Sequence, residues 1–82
     1  MALSEHLQNR LRKRFERSSM VEIRYKGNDL AVRTDQEGNA VVLFIGRKGS
    51  DGGIRGERYS RTLKKDKNGK TIKDHWDLKG RS

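Results

Sequence analysis

The stretch MVEIRYKGNDLAVRTDQEGNAVVLFI, Met20 to Ile45, decides the fold. Val21, Ile23 and Tyr25 alternate with Glu22, Arg24 and Lys26, and after Gly27-Asn28 the alternation resumes with Leu30 and Val32 against Ala31 and Arg33. A period of two marks a strand with one buried face, and a glycine-bearing pair between two such runs marks a hairpin. A two-residue Gly27-Asn28 loop closed by Lys26 and Asp29 sets Tyr25 opposite Leu30, Ile23 opposite Val32 and Glu22 opposite Arg33. Glycine admits the positive φ that such primed turns demand. The faces of this pairing are firmer than its pairs, because a slip of one residue would turn the whole apolar set outward. Gln36-Glu37-Gly38 supplies the next reversal, a three-residue loop with Gly38 in the left-handed position. Ala40 to Ile45 is apolar at every position, which predicts a central strand covered on both faces. One face would meet the first hairpin's apolar residues in a curled sheet, while Val41, Leu43 and Ile45 would receive a helix.

That helix lies upstream. Leu3, Leu7, Leu11 and Phe15 recur every four residues, and at ~100° per residue they cover an arc of about 120°, the width of a core-facing stripe. The pattern predicts an amphipathic helix over residues 4–17, with Ser4 as N-cap, Glu5 in the first turn and Ser18-Ser19 as the exit. Arg10, Lys13 and Arg17 fall beside the apolar arc and read as an ordinary solvated face.

Downstream, Tyr59–Lys65 and Lys70–Leu78 flank Asp66-Lys67-Asn68-Gly69 as strand, turn and strand. A four-residue loop places Leu63 opposite Ile72, Arg61 opposite Asp74 and Tyr59 opposite Trp76. A two-residue Asn68-Gly69 loop keeps the faces and shifts the pairs. A three-residue loop would set Ile72 and Trp76 across from Lys64 and Ser60 on the polar face, which argues against it. Tyr59 and Trp76 are assigned to the core, with Arg61 pairing Asp74 and lying over Trp76. The whole reads as one α+β domain over residues 1–82, an N-terminal amphipathic helix and then a five-stranded antiparallel meander that can curl into a small barrel. The strands fall at about 20–26, 29–35, 40–45, 57–65 and 70–78, with a flexible glycine-rich loop at 46–53 and a tail at 79–82.

Composition bounds what such a domain does. In 82 residues, twenty Lys and Arg face eleven Asp and Glu, for a net charge of +9. A chain this short buries only roughly 60% of its unfolded surface, so deep catalytic pockets are excluded. Without cysteine there is neither a disulfide framework nor a thiolate metal site. The longest apolar run, Ala40–Ile45, is far below the ~20 residues that span a bilayer. Glu5 and His6 interrupt the apolar stretch a secretory peptide needs, so the expectation is a soluble cytoplasmic protein without a membrane partner.

The charge is local. Beyond Gly46, twelve Lys and Arg stand against five Asp and Glu. Arg47, Lys48, Arg55, Arg58, Lys64 and Lys73 are the expected basic ridge, with Lys67 and Lys70 at a hairpin tip. Such a ridge neutralises phosphates with little regard for sequence. The expected function is a small non-catalytic module that binds nucleic acid, with an acidic protein or a second copy as the alternative partner. No cofactor is expected. Gly46 to Gly53 lacks the order of a Walker loop and of a dinucleotide fingerprint. Phe44-Ile45-Gly46-Arg47-Lys48-Gly49 resembles the Ile-Gly-x-x-Gly segment of KH domains, which clamps a nucleic-acid backbone. That loop joins two helices, whereas Gly52, Gly53 and Gly56 fall where the second helix would be. Ser60, His75 and Asp77 share a strand face as serine, histidine and acid, but an open sheet face offers no oxyanion hole and no exclusion of water. Asp74 points away from His75 and Asp77, which argues against a metal site.

Overall fold

The computed structural model describes residues 3–81 and contains a helix, α1 (Glu5–Leu11), and five strands. These are β1 (Met20–Tyr25), β2 (Asn28–Thr34), β3 (Ala40–Lys48), β4 (Ile54–Lys65) and β5 (Thr71–Arg81). The strands form one antiparallel sheet in the order β1-β2-β3-β4-β5, with the most apolar strand at its centre. The α+β meander is therefore as the sequence predicts. The barrel is not: the sheet stays open, with β1 and β5 as edges. Leu7 and Leu11 of α1 share one buried cluster with Tyr25, Leu30, Val32, Ala40, Leu43 and Tyr59. The helix thus supplies the apolar cover that an inturned edge strand would otherwise provide. No helix among the described residues is long and apolar enough to cross a membrane.

The first hairpin keeps its predicted faces and changes its pairs. Its turn is Lys26-Gly27, with φ of 49° and 81°, so Ile23 lies opposite Leu30 and Val21 opposite Val32. Glu22 consequently faces Ala31 rather than Arg33. This register lines up Ile23, Leu30 and Ile45 in one cross-strand row and Val21, Val32 and Leu43 in the next. Both rows lie beneath the helix. A bulge at Arg33/Thr34 sets Thr34 opposite Ala40 and Arg33 opposite Val42, leaving Val41 as the extra residue. Ala40, not Val41, therefore joins Leu43 in the core, and Val42 and Phe44 emerge on the side away from α1. Among the described residues no curled second layer covers them.

The helix is shorter than its apolar spacing implies. Ser4 caps it through its hydroxyl, which accepts from the Leu7 N–H at 3.2 Å, but it ends at Leu11. Beyond that, the β2–β3 turn captures the chain. Phe15 N–H donates to the Gly38 carbonyl and Ser18 N–H to the Asp35 carbonyl, both at 2.8 Å. The buried Thr34 hydroxyl accepts from Ser19 N–H at 2.8 Å and lies 2.6 Å from the Glu16 carbonyl. These tertiary bonds replace the i to i−4 ladder, while Phe15 still packs against the core.

Three of the four reversals share one geometry. In Asp35–Asn39, Gly49–Gly53 and Asp66–Lys70, the first N–H donates to the carbonyl four residues on, at 3.0, 2.7 and 2.9 Å. The glycine in fourth place, Gly38, Gly52 or Gly69, donates back to the first carbonyl with φ of 84°, 86° and 82°. A left-handed glycine closing a three-residue loop is the economical way to join twisted strands. The sequence's flexible loop at 46–53 is thus reduced to a tight turn, because β3 runs on to Lys48 and β4 begins at Ile54. Gly46 and Gly56 face each other across these strands, and a Cβ on either would collide with the opposing backbone.

The second hairpin likewise uses the three-residue turn that the sequence argued against. A bulge at Lys64/Lys65 rescues its faces: Lys65 pairs with Thr71 and Lys64 with Lys73, leaving Ile72 extra and exposed. Beyond it, Leu63 faces Asp74, Arg61 faces Trp76 and Tyr59 faces Leu78, two residues away from the expected pairs. The predicted tail is strand as far as Arg81, and Ser82 lies outside the described residues.

Candidate nucleic-acid interface

Strand parity sorts the cations before any site is built. On the helix side, Arg61 is nearly buried and fully engaged. It donates to Asp74 at 2.7 and 2.8 Å and to the carbonyls of Ala40 at 3.1 Å and Leu11 at 3.4 Å. Its guanidinium also lies 5.7 Å from the Trp76 ring centre. Hydrogen bonds from Arg61 hold the Asp74 carboxyl below the usual carboxylate range. Tyr59 is buried in the core and Trp76 packs against it, as the sequence reading assigns them. Burial, and then Glu57, push the Tyr59 hydroxyl up. This cluster is structural.

Among the described residues, the other side of the sheet has no helix and no second layer. Its cross-strand rows follow from the register: Met20, Arg33, Val42, Ser60 and Asp77 form one, and Glu22, Ala31, Phe44, Arg58 and Gly80 form the next. Phe44 stands half-buried at the centre. A shallow hollow of about 310 Å³ on one flank is lined by Arg33, Val42, Phe44, Arg58, Ser60 and Lys79. Arg33, Arg58 and Lys79 are exposed, and among the described residues none of them has an acidic partner. Lys79 reaches this flank because the bulge at Arg58/Tyr59 leaves it as the extra residue of β5.

The six residues singled out from the sequence are not one ridge. Arg58, Lys64 and Lys73 lie on the helix-free side, where Lys64 and Lys73 stand directly opposite each other. Facing like charges repel, and an anion between them relieves the repulsion. Lys48 is on the same side but committed: its ammonium pairs with Glu22 at 2.9 Å and its N–H donates to Asp29 at 2.9 Å. Hydrogen bonding and charge from Glu22 raise its pKa. Arg47 and Arg55 face each other at the far end of the β3–β4 hairpin, on the opposite strand parity. Phe44, Arg33 and Lys79 are candidate-site residues that sequence reasoning missed. Arg33 was legible as outward-facing but was assigned to Glu22, and Phe44 sits in a run where every position is apolar.

Three other sequence constellations find no support in the geometry. Ser60 lies across from Asp77, not His75, while His75 and Asp77 pair with each other at 2.9 Å with both side chains well exposed. Among the described residues no group of three His, Cys, Asp or Glu is placed to hold a metal ion. The Phe44–Gly49 segment is strand up to Lys48, not the interhelical loop of a KH domain. The chain matches no protein-family model, no curated protein and no solved structure.

Proposed function

We propose that this chain is a non-catalytic module of the cytoplasm that binds nucleic acid on the helix-free side of its sheet. The observation that carries this reading is the cluster of Arg33, Arg58 and Lys79 around Phe44, three exposed cations that have no acidic partner and no covering layer among the described residues. Lys64 with Lys73, on the same side, extends the positive field toward the hairpin tip. Neutralising three phosphates on a single strand gives a slope of log K against log salt of about −2. Fluorescence anisotropy with a labelled oligonucleotide at low and moderate salt measures it. The triple substitution Arg33→Ala, Arg58→Ala and Lys79→Ala is expected to remove most of that slope and leave the melting temperature unchanged. Binding and slope untouched by the triple substitution would defeat the proposal.

A second reading rests on the open edges β1 and β5, whose unpaired backbone groups can take up a strand of a second copy or of an acidic protein. Sedimentation at increasing concentration separates the two, since the nucleic-acid reading needs only the monomer.

A further inference from the structure

Phe44 has a second flank, and it is chemically unlike the first. There a hollow of about 350 Å³ is lined by Met20, Ala31, Phe44 and Ile54, with Gly52 and Gly53 of the β3–β4 turn at its rim. Those glycines present no side chains, so the rim is low. Glu22 also borders the hollow, but its carboxylate is neutralised by Lys48 at 2.9 Å. An apolar hollow and a cationic one therefore meet at a single aromatic ring. Resting on the nucleic-acid reading, we infer that the ligand is single-stranded, with one unpaired base seated against Phe44 in the apolar hollow and its flanking phosphates on Arg33, Arg58 and Lys79.

The chemistry separates this from a surface that merely attracts phosphate. A duplex keeps its base faces stacked inside, so it would engage the cations and leave the apolar hollow empty. A single strand offers a flat, largely apolar face for each base, and every base has one, so the seat is tolerant of sequence. Met20, 52% exposed, is a large apolar side chain on the helix-free side, and it borders this hollow. A base placed there covers it.

The test compares three labelled probes of one length: an oligothymidylate, an abasic deoxyribose-phosphate chain and a DNA duplex. The expected result is that oligothymidylate binds about tenfold tighter than the abasic chain, the worth of one stacked base. Met20→Ser should erase that preference and leave abasic binding unchanged, and Phe44→Leu should erase the preference as well. Amide spectra establish that Phe44→Leu is folded, and if it is not, the exposed Met20→Ser decides alone. Equal binding of oligothymidylate and abasic chain, or tighter binding of duplex, overturns the seated base while leaving the phosphate reading intact. Failure of all three probes to bind the folded protein overturns both.

Discussion

The two sides of this sheet come from alternate residues of the same strands, yet they treat charge and aromatic surface in opposite ways. Beneath α1, Tyr59 is buried, Trp76 packs on the core, and Arg61 has its side chain only 5% exposed with every direction of its guanidinium engaged. On the other side, among the described residues, Phe44 is half-buried with no layer above it and Arg33, Arg58 and Lys79 have no carboxylate partner. A charge that folding removes from water must be satisfied by the fold itself, whereas a charge left in water is free to be satisfied by a partner. The sum of +9 conceals this division.

Breaking the comparison starts with its largest expected effect. Arg61→Ala strands the Asp74 carboxylate and the Leu11 and Ala40 carbonyls, and is expected to cost about 3 kcal/mol in urea unfolding. Arg58→Ala, across the sheet, should stay within about 0.5 kcal/mol. Equal losses at the two positions would erase the distinction between the sides. Next comes Gly38→Ala, where φ is 84° and a Cβ would meet the Phe15 carbonyl. About 2 kcal/mol is expected, from the left-handed backbone and the displaced 12–19 segment together.

Asp74→Asn sharpens the comparison through pH. The folded carboxyl titrates below its ordinary value because Arg61 hydrogen-bonds its charged form. Its contribution is therefore fully present above the unfolded pKa of about 4 and is lost as pH falls through the folded value. The variant should be less stable than the parent by about 1 kcal/mol at neutral pH, with the gap closing in acid. A gap that widened in acid would reverse the sign and refute the assignment. Smallest of all, Arg47→Ala with Arg55→Ala should change oligonucleotide affinity by less than about twofold beside the triple substitution, because isolated charges at one end contribute mainly through a screened field.

What was legible in the sequence is what alternation encodes. The period of two placed Val21, Ile23, Leu30 and Val32 on one face, and that face survived a two-residue shift of register because parity is insensitive to it. Arg61 with Asp74 survived for the same reason, as a diagonal rather than a direct pair. What was not legible depends on contacts distant in sequence. Phe15 continues the helical spacing of Leu7 and Leu11, but its N–H is taken by Gly38. The extra residues Val41, Ile72 and Lys79 have no compositional mark, and one of them delivers a cation to the candidate site. Phe44 lies in a uniformly apolar run, where pattern cannot tell the covered side from the bare one. The turns do carry a sequence mark: Asp35-Gln36-Glu37-Gly38-Asn39 and Asp66-Lys67-Asn68-Gly69-Lys70 share Asp first and Gly fourth. In both, the Asp Oδ1 accepts the N–H groups two and four residues on, at 2.9 Å.

Those repeated turns carry a consequence for the order of events during folding. Every strand pairs only with its neighbours in the chain, so each pairing needs a short loop to close, an event of about 10–100 ns for comparable lengths, and the meander can zip outward from any turn. The helix has no such local route: its Leu7 and Leu11 dock on residues drawn from β1, β2, β3 and β4 together. The helix-free surface is consequently complete once β1 to β5 have zipped, while the opposite side still waits for its cover. The candidate binding surface is built from steps that each close only a short loop, whereas its opposite side depends on a long-range docking.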